Sequence, residues 1–169
     1  MTPLLLALVS LLAGEPITSA ATTFGPSSLD PLGNPAPGAL ACWRSVPGTP
    51  HYLDETTLAV ASYKWQCGDL LRICSGERCV EARVLDRGPA RARLCAFHGS
   101  DDPKCLIHGT LTTDIDVTFP VGVALGIADA HGRATRGCRA LYQANGKTRG
   151  CAVTYRVVER PAAVAWGTP

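Results

Sequence analysis

Eight cysteines, at positions 42, 67, 74, 79, 95, 105, 138 and 151, constrain this chain more than any other feature. All follow an apolar N-terminal stretch. An even number of cysteines in a small exported domain reads as a disulfide framework. Cys74 and Cys79 flank Ser75-Gly76-Glu77-Arg78, a turn between two strand-like runs, and are expected to face each other across a hairpin. Cys95 with Cys105 would close the long loop after Asp86, and Cys138 with Cys151 would tie two C-terminal strands. Cys42 with Cys67 is the pair that remains, anchoring the N-terminal loop.

The apolar stretch itself reads as an export signal. Leu4 to Val9 and Leu11-Leu12-Ala13 form a short hydrophobic run, Pro16 interrupts it, and Thr18-Ser19-Ala20 offers small residues for a peptidase. The run is shorter than the roughly 20 apolar residues that a spanning helix needs. No lysine or arginine precedes it, so an uncleaved anchor is the competing reading. The expected organisation is a signal over residues 1–20, one domain over 21–160 and a loose tail over 161–169. Sixteen basic residues stand against 14 acidic ones. That balance argues against a dedicated nucleic-acid binder, and no membrane association is expected once the signal is removed.

Short β-strands dominate the domain. Ala21 to Gly25 reads as one, and residues 26–50 are rich in Pro, Gly and Ser and read as a loop held by Cys42 and Trp43. Leu58 to Ala61 is a short apolar run. Leu70–Cys74 and Val80–Leu85 are the clearest strands, the second with Val80, Ala82 and Val84 on one face and Glu81 and Arg83 on the other. Asp114–Val117 is a further short strand. Thr118 then caps a helix through Val121, Ala124 and Leu125, with Pro120 in its first turn and Gly126 at its end. Ala152–Val158 is the last strand. The sum is an all-β chain with one short helix, of the barrel type.

Three blocks, with two shorter segments between the first two, resemble in their order the barrel of the rare-lipoprotein-A and expansin (barwin-related) family. Ala21-Thr22-Thr23-Phe24-Gly25 is similar to its opening strand. Val60-Ala61-Ser62 and Cys67-Gly68-Asp69-Leu70-Leu71-Arg72-Ile73 are similar to its next two segments. Val84-Leu85-Asp86-Arg87-Gly88-Pro89 resembles Val-x-Asp-Arg-Gly-Pro, and Asp114-Ile115-Asp116-Val117-Thr118 with its helix resembles the Ile-Asp-Leu-Ser block. The resemblance implies a six-stranded double-psi β-barrel with long disulfide-tied loops. It implies a secreted protein, extracellular or periplasmic and monomeric, that needs no cofactor and acts on cell-wall polysaccharide, peptidoglycan first.

The resemblance also assigns roles. Asp86 and Asp116 fall at the family's active-site carboxylates, and Thr22 at the polar residue of the first strand lining the same groove. Two carboxylates at strand ends suit glycosidic chemistry, one as acid and one as stabiliser. Taken alone, each has a structural reading: Asp86 satisfies a turn, and Asp116 sits ahead of a helix. Ser62 stands where the lytic transglycosylase branch has a histidine, and a hydroxyl is no acid near neutral pH. A non-catalytic binding or wall-loosening module is therefore the alternative. Tyr63 and Trp43 are expected to stack on sugars, with Tyr52 and Trp65 nearby, and Arg87 to orient Asp86 or face solvent. Cys95, His98, Cys105 and His108 form a competing zinc set, against which an oxidising compartment favours the Cys95–Cys105 disulfide.

Overall fold

Alternation in the hairpin sets the inside and outside of the molecule. In this computed structural model, which describes residues 15–25, 40–88, 113–142 and 146–161, Ala82 and Val84 are buried while Glu81 faces solvent. Among the described residues seven strands form, namely β1 (Ile17–Phe24), β2 (Ala59–Ala61), β3 (Leu70–Ser75), β4 (Arg78–Asp86), β5 (Ile115–Thr118), β6 (Ala140–Tyr142) and β7 (Thr148–Glu159). Among the same residues one helix, α1 (Phe119–Leu125), follows β5.

The strands pair in the order β1-β5-β2-β4-β3-β7, and β7 pairs back onto β1, so six strands close into a barrel with β6 added on the edge of β7. β1 with β5 and β2 with β4 are parallel, and the other pairs are antiparallel. This is the all-β double-psi arrangement. Closure removes the free edges of the six strands, so all their ladder groups can pair within the ring.

Inside the ring Val60, Leu71, Ile73, Val84, Ile115 and Val117 are fully buried. Tyr155 joins them, its hydroxyl donating to the Thr113 carbonyl at 2.6 Å. A second, smaller cluster lies outside the ring, where Leu40 and Leu53 cover Ala59 and Leu85. Buried on both faces, β2 reads in the sequence as an unbroken apolar run rather than an alternating one.

Three expected disulfides are present: Cys42–Cys67, Cys74–Cys79 and Cys138–Cys151. Cys74 and Cys79 are direct partners in the β3–β4 register. The Cys95–Cys105 expectation, the zinc set with His98 and His108, and the tail from 162 lie outside the described residues. Among the described residues no helix is long and apolar enough to cross a membrane.

Three features differ from the sequence reading. The first strand begins at Ile17, four residues inside the stretch read as leader. β6 was expected only as the unbounded partner in the Cys138–Cys151 tie, because a three-residue strand carries no period. Thr118 precedes the helix as expected, yet its hydroxyl makes no cap. It donates instead to the Thr57 carbonyl (2.7 Å) and accepts from the Ala59 amide (3.1 Å), tying β5 to the chain entering β2. Burial decided this, since a hydroxyl at 1% exposure must use the nearest free backbone groups. Gly126 ends the helix in the left-handed region, as its position suggested.

Candidate functional site

Asp116 lies on β5 between two neighbours. In register it faces Thr22 of β1 on one side and Ala61 of β2 on the other. Its Oδ1 accepts the Thr22 hydroxyl in a close hydrogen bond. Ile115 and Val117 point into the barrel, so strand alternation turns Asp116 outward.

The chain leaving β4 passes close against this carboxylate. A Cβ placed on Gly88 would stand 2.9 Å from Asp116 Oδ2 and 2.9 Å from the Ala61 Cβ. Only glycine lets the chain pass so near. The motif's glycine therefore belongs to the site. The sequence reading missed it by treating Gly88 as a turn former alone.

Asp86 is the partner of Ala61 from the opposite strand. Ala61 thus separates the two aspartates, and two strand spacings put their Cα atoms about 10 Å apart. The Asp86 side chain is committed to the loop over the second core: its Oδ1 accepts from the Ala41 amide at 3.0 Å. The Cys42 amide reaches the Leu85 carbonyl at 3.1 Å, and the Cys42–Cys67 disulfide holds the same loop. The structure brings Thr22, Asp116 and Gly88 together, with Asp86 beyond the intervening β2.

Other expected residues take different places. Ser62 is fully buried, against the expectation that it lines the groove; its hydroxyl accepts from the Lys64 and Trp65 amides at 3.2 and 3.3 Å. Serine here closes a turn, the local role its side chain performs most readily. Arg87 donates to the Trp65 carbonyl at 2.9 Å and the Ser62 carbonyl at 3.4 Å, so it braces that turn. Trp65 packs edge-on against Tyr155. Tyr63 is half-buried in the same turn.

Trp43 is partly exposed on the docked loop, under Arg44 and edge-on to His51 at 4.4 Å; Tyr52 follows at 4.2 Å from the His51 ring. His51 was missed as a neighbour of Trp43, because seven residues of loop separate them. On the other side of Thr22 an apolar cavity of about 240 Å³ is lined by Thr23, Ile127, Ala128, Gly150 and the Cys138–Cys151 bridge. The Thr23 hydroxyl is spent on the Gly132 carbonyl at 2.8 Å. A larger hollow, about 510 Å³, lies among Thr18, Cys74, Gly137 and Arg139, and neither aspartate lines it. No group of three or more potential metal ligands occurs among the described residues.

No family model matches this chain, and no curated protein matches it. Among solved structures it is similar to a point mutant of Clavibacter michiganensis expansin in complex with cellohexaose, at 16% identity and a TM-score of 0.42. The match covers 88% of this chain and 52% of that one, so the chain spans about half the length of that protein. Similarity of this degree transfers no residue role.

Proposed function

We propose that this protein is an exported, disulfide-stabilised barrel that binds cell-wall polysaccharide, peptidoglycan first, through the rim centred on Asp116. One observation carries this reading: Asp116, Thr22 and Gly88 meet at one point on the outer face of the barrel, with Asp86 two strand spacings away. Carboxylate and hydroxyl oxygens accept hydrogen bonds, and a sugar ring presents a row of hydroxyl donors to meet them. The three disulfides fit a chain that matures in an oxidising compartment.

Binding without cleavage is the version the residues favour. A glycosidase of the two-carboxylate kind needs one group to deliver a proton. Ser62, at the position where a proton donor would be sought, is buried and closing a turn. Asp86 is engaged by the Ala41 amide.

Retention on insoluble peptidoglycan, with soluble fragments assayed in the same samples, tests both versions. Wild type is expected to sediment with the polymer and release nothing. Asp116→Asn is expected to lose retention at least tenfold, and Asp86→Asn to lose less. Equal retention of all three proteins sinks the assigned rim. Fragment release that disappears in Asp116→Asn replaces the binding version with a catalytic one.

A further inference from the structure

The small residues Thr18-Ser19-Ala20 read in the sequence as a peptidase site, but in the folded chain they are structural. We propose that the cut releasing this protein from its leader falls N-terminal to Ile17, at the small pair Ala13-Gly14, and that Ile17–Ala20 remain as the half-strand closing the barrel. The inference rests on the export part of the reading above and not on glycan binding.

The β1–β7 contact is the seam that turns six strands into a ring. Its partners are Ile17↔Tyr155, Thr18↔Thr154, Ser19↔Val153, Ala20↔Ala152 and Ala21↔Cys151. A cut after Ala20 removes four of these five and leaves β7 with an open edge along most of the seam. It also removes Ile17, which packs on the barrel core.

The same cut strips a buried ion. Asp114, at 3% exposure, accepts from the Ser19 hydroxyl at 2.7 Å and from the Ala20 amide at 3.3 Å, beside its pair with Arg149. Two of its donors would leave together. The new α-ammonium would form on Ala21, a residue 1% exposed between β5 and β7, where an added charge is costly.

Close packing explains why these residues are small. Ser19, Ala20 and Ala21 are all nearly inaccessible, and at Gly150 a Cβ would come within 2.6 Å of the Ala21 carbonyl oxygen. Upstream, Glu15 and Pro16 are exposed, as a mature terminus should be. Leu4 to Leu12 still provides a hydrophobic run of ordinary length for a leader ending at Ala13 or Gly14.

The full chain, exported with its own leader from a bacterial host, is analysed by intact mass and N-terminal peptide mapping. A mature terminus at Gly14 or Glu15 is expected. A folded protein beginning at Ala21, or exported protein with no cut, overturns the inference while leaving export intact; uncut protein retained inside the cell overturns both. In a second arm, chains made to start at Glu15 or at Ala21 are melted side by side. The Ala21 chain is expected to lose its cooperative transition; a melting temperature within a few degrees of the longer chain overturns the inference.

Discussion

Asp114 and Asp116 stand two residues apart at the start of one strand, with side chains on the same side of the alternation, yet their surroundings differ in kind. Asp114 is at 3% exposure and holds Arg149, the Ser19 hydroxyl and the Ala20 amide. Asp116 is half-buried, accepts from Thr22, and is approached by the open turn at Gly88. The first aspartate sits at the seam where β1 meets β7; the second sits at the rim between β1 and β2. The same residue type is a staple in one place and the proposed recognition point in the other, and the difference is made by what the neighbouring strands leave uncovered.

The largest effect should come from the seam. Asp114→Ala strands Arg149, whose side chain is only 16% exposed, and takes an acceptor from the Ala20 amide and from the Ser19 hydroxyl, which keeps Thr113 Oγ1 at 3.2 Å. Breaking one half of a buried pair costs about 3–5 kcal/mol. Urea unfolding should show that loss, and a stability change under about 1 kcal/mol would erase the contrast with Asp116.

The rim depends on a different support. Replacing Cys42 and Cys67 together by serine frees the loop whose Ala41 amide holds Asp86. A closed loop of this separation is worth about 3.5 kcal/mol, against about 2 kcal/mol for the short Cys74–Cys79 hairpin bridge. Paired denaturation curves of the two double mutants should keep that ranking. Glycan retention should fall only in the first.

Alkali should attack the seam before the rim. Burial, reinforced by the nearby Asp114 charge, pushes the Tyr155 hydroxyl up to about 12 from its ordinary 10. A raised folded-state value means the contribution is whole below pH 10 and is lost as pH climbs through 12. The shift corresponds to about 3 kcal/mol. Wild type should lose stability across this window, and Tyr155→Phe should flatten the profile there; parallel profiles would remove Tyr155 from the account.

Gly88→Ala is the smallest and sharpest test. The added methyl meets the Asp116 carboxylate and Ala61 at 2.9 Å. Overpacking of this kind costs about 1–2 kcal/mol. Retention on glycan should fall far more than the melting temperature does. A variant that binds normally places the recognition point elsewhere.

Much of this architecture is legible in the residues themselves. Alternation across Val80–Leu85, the turn at Ser75–Arg78 and the spacing of the cysteines anticipate the hairpin, its bridge and two longer bridges. The apolar run ahead of Gly126 and the proline in its first turn anticipate the helix. These are local signals, carried by side-chain period, backbone preference and distance along the chain.

What closes the barrel is not local. β1 meets β5 and β7 across more than ninety residues, and only those pairings make Ile17–Ala20 a strand, Asp114 a buried staple and Asp116 a neighbour of Thr22. Ser62 and Thr118 show the same limit, because a hydroxyl's partners depend on which backbone groups burial leaves unpaired. The sequence by itself determined the β3–β4 hairpin with its turn, the helix and three of the bridges, since each is written in period and spacing. Which aspartate is sealed in and which is left at the rim was decided by the tertiary structure, because exposure belongs to the closed ring and not to any stretch of chain.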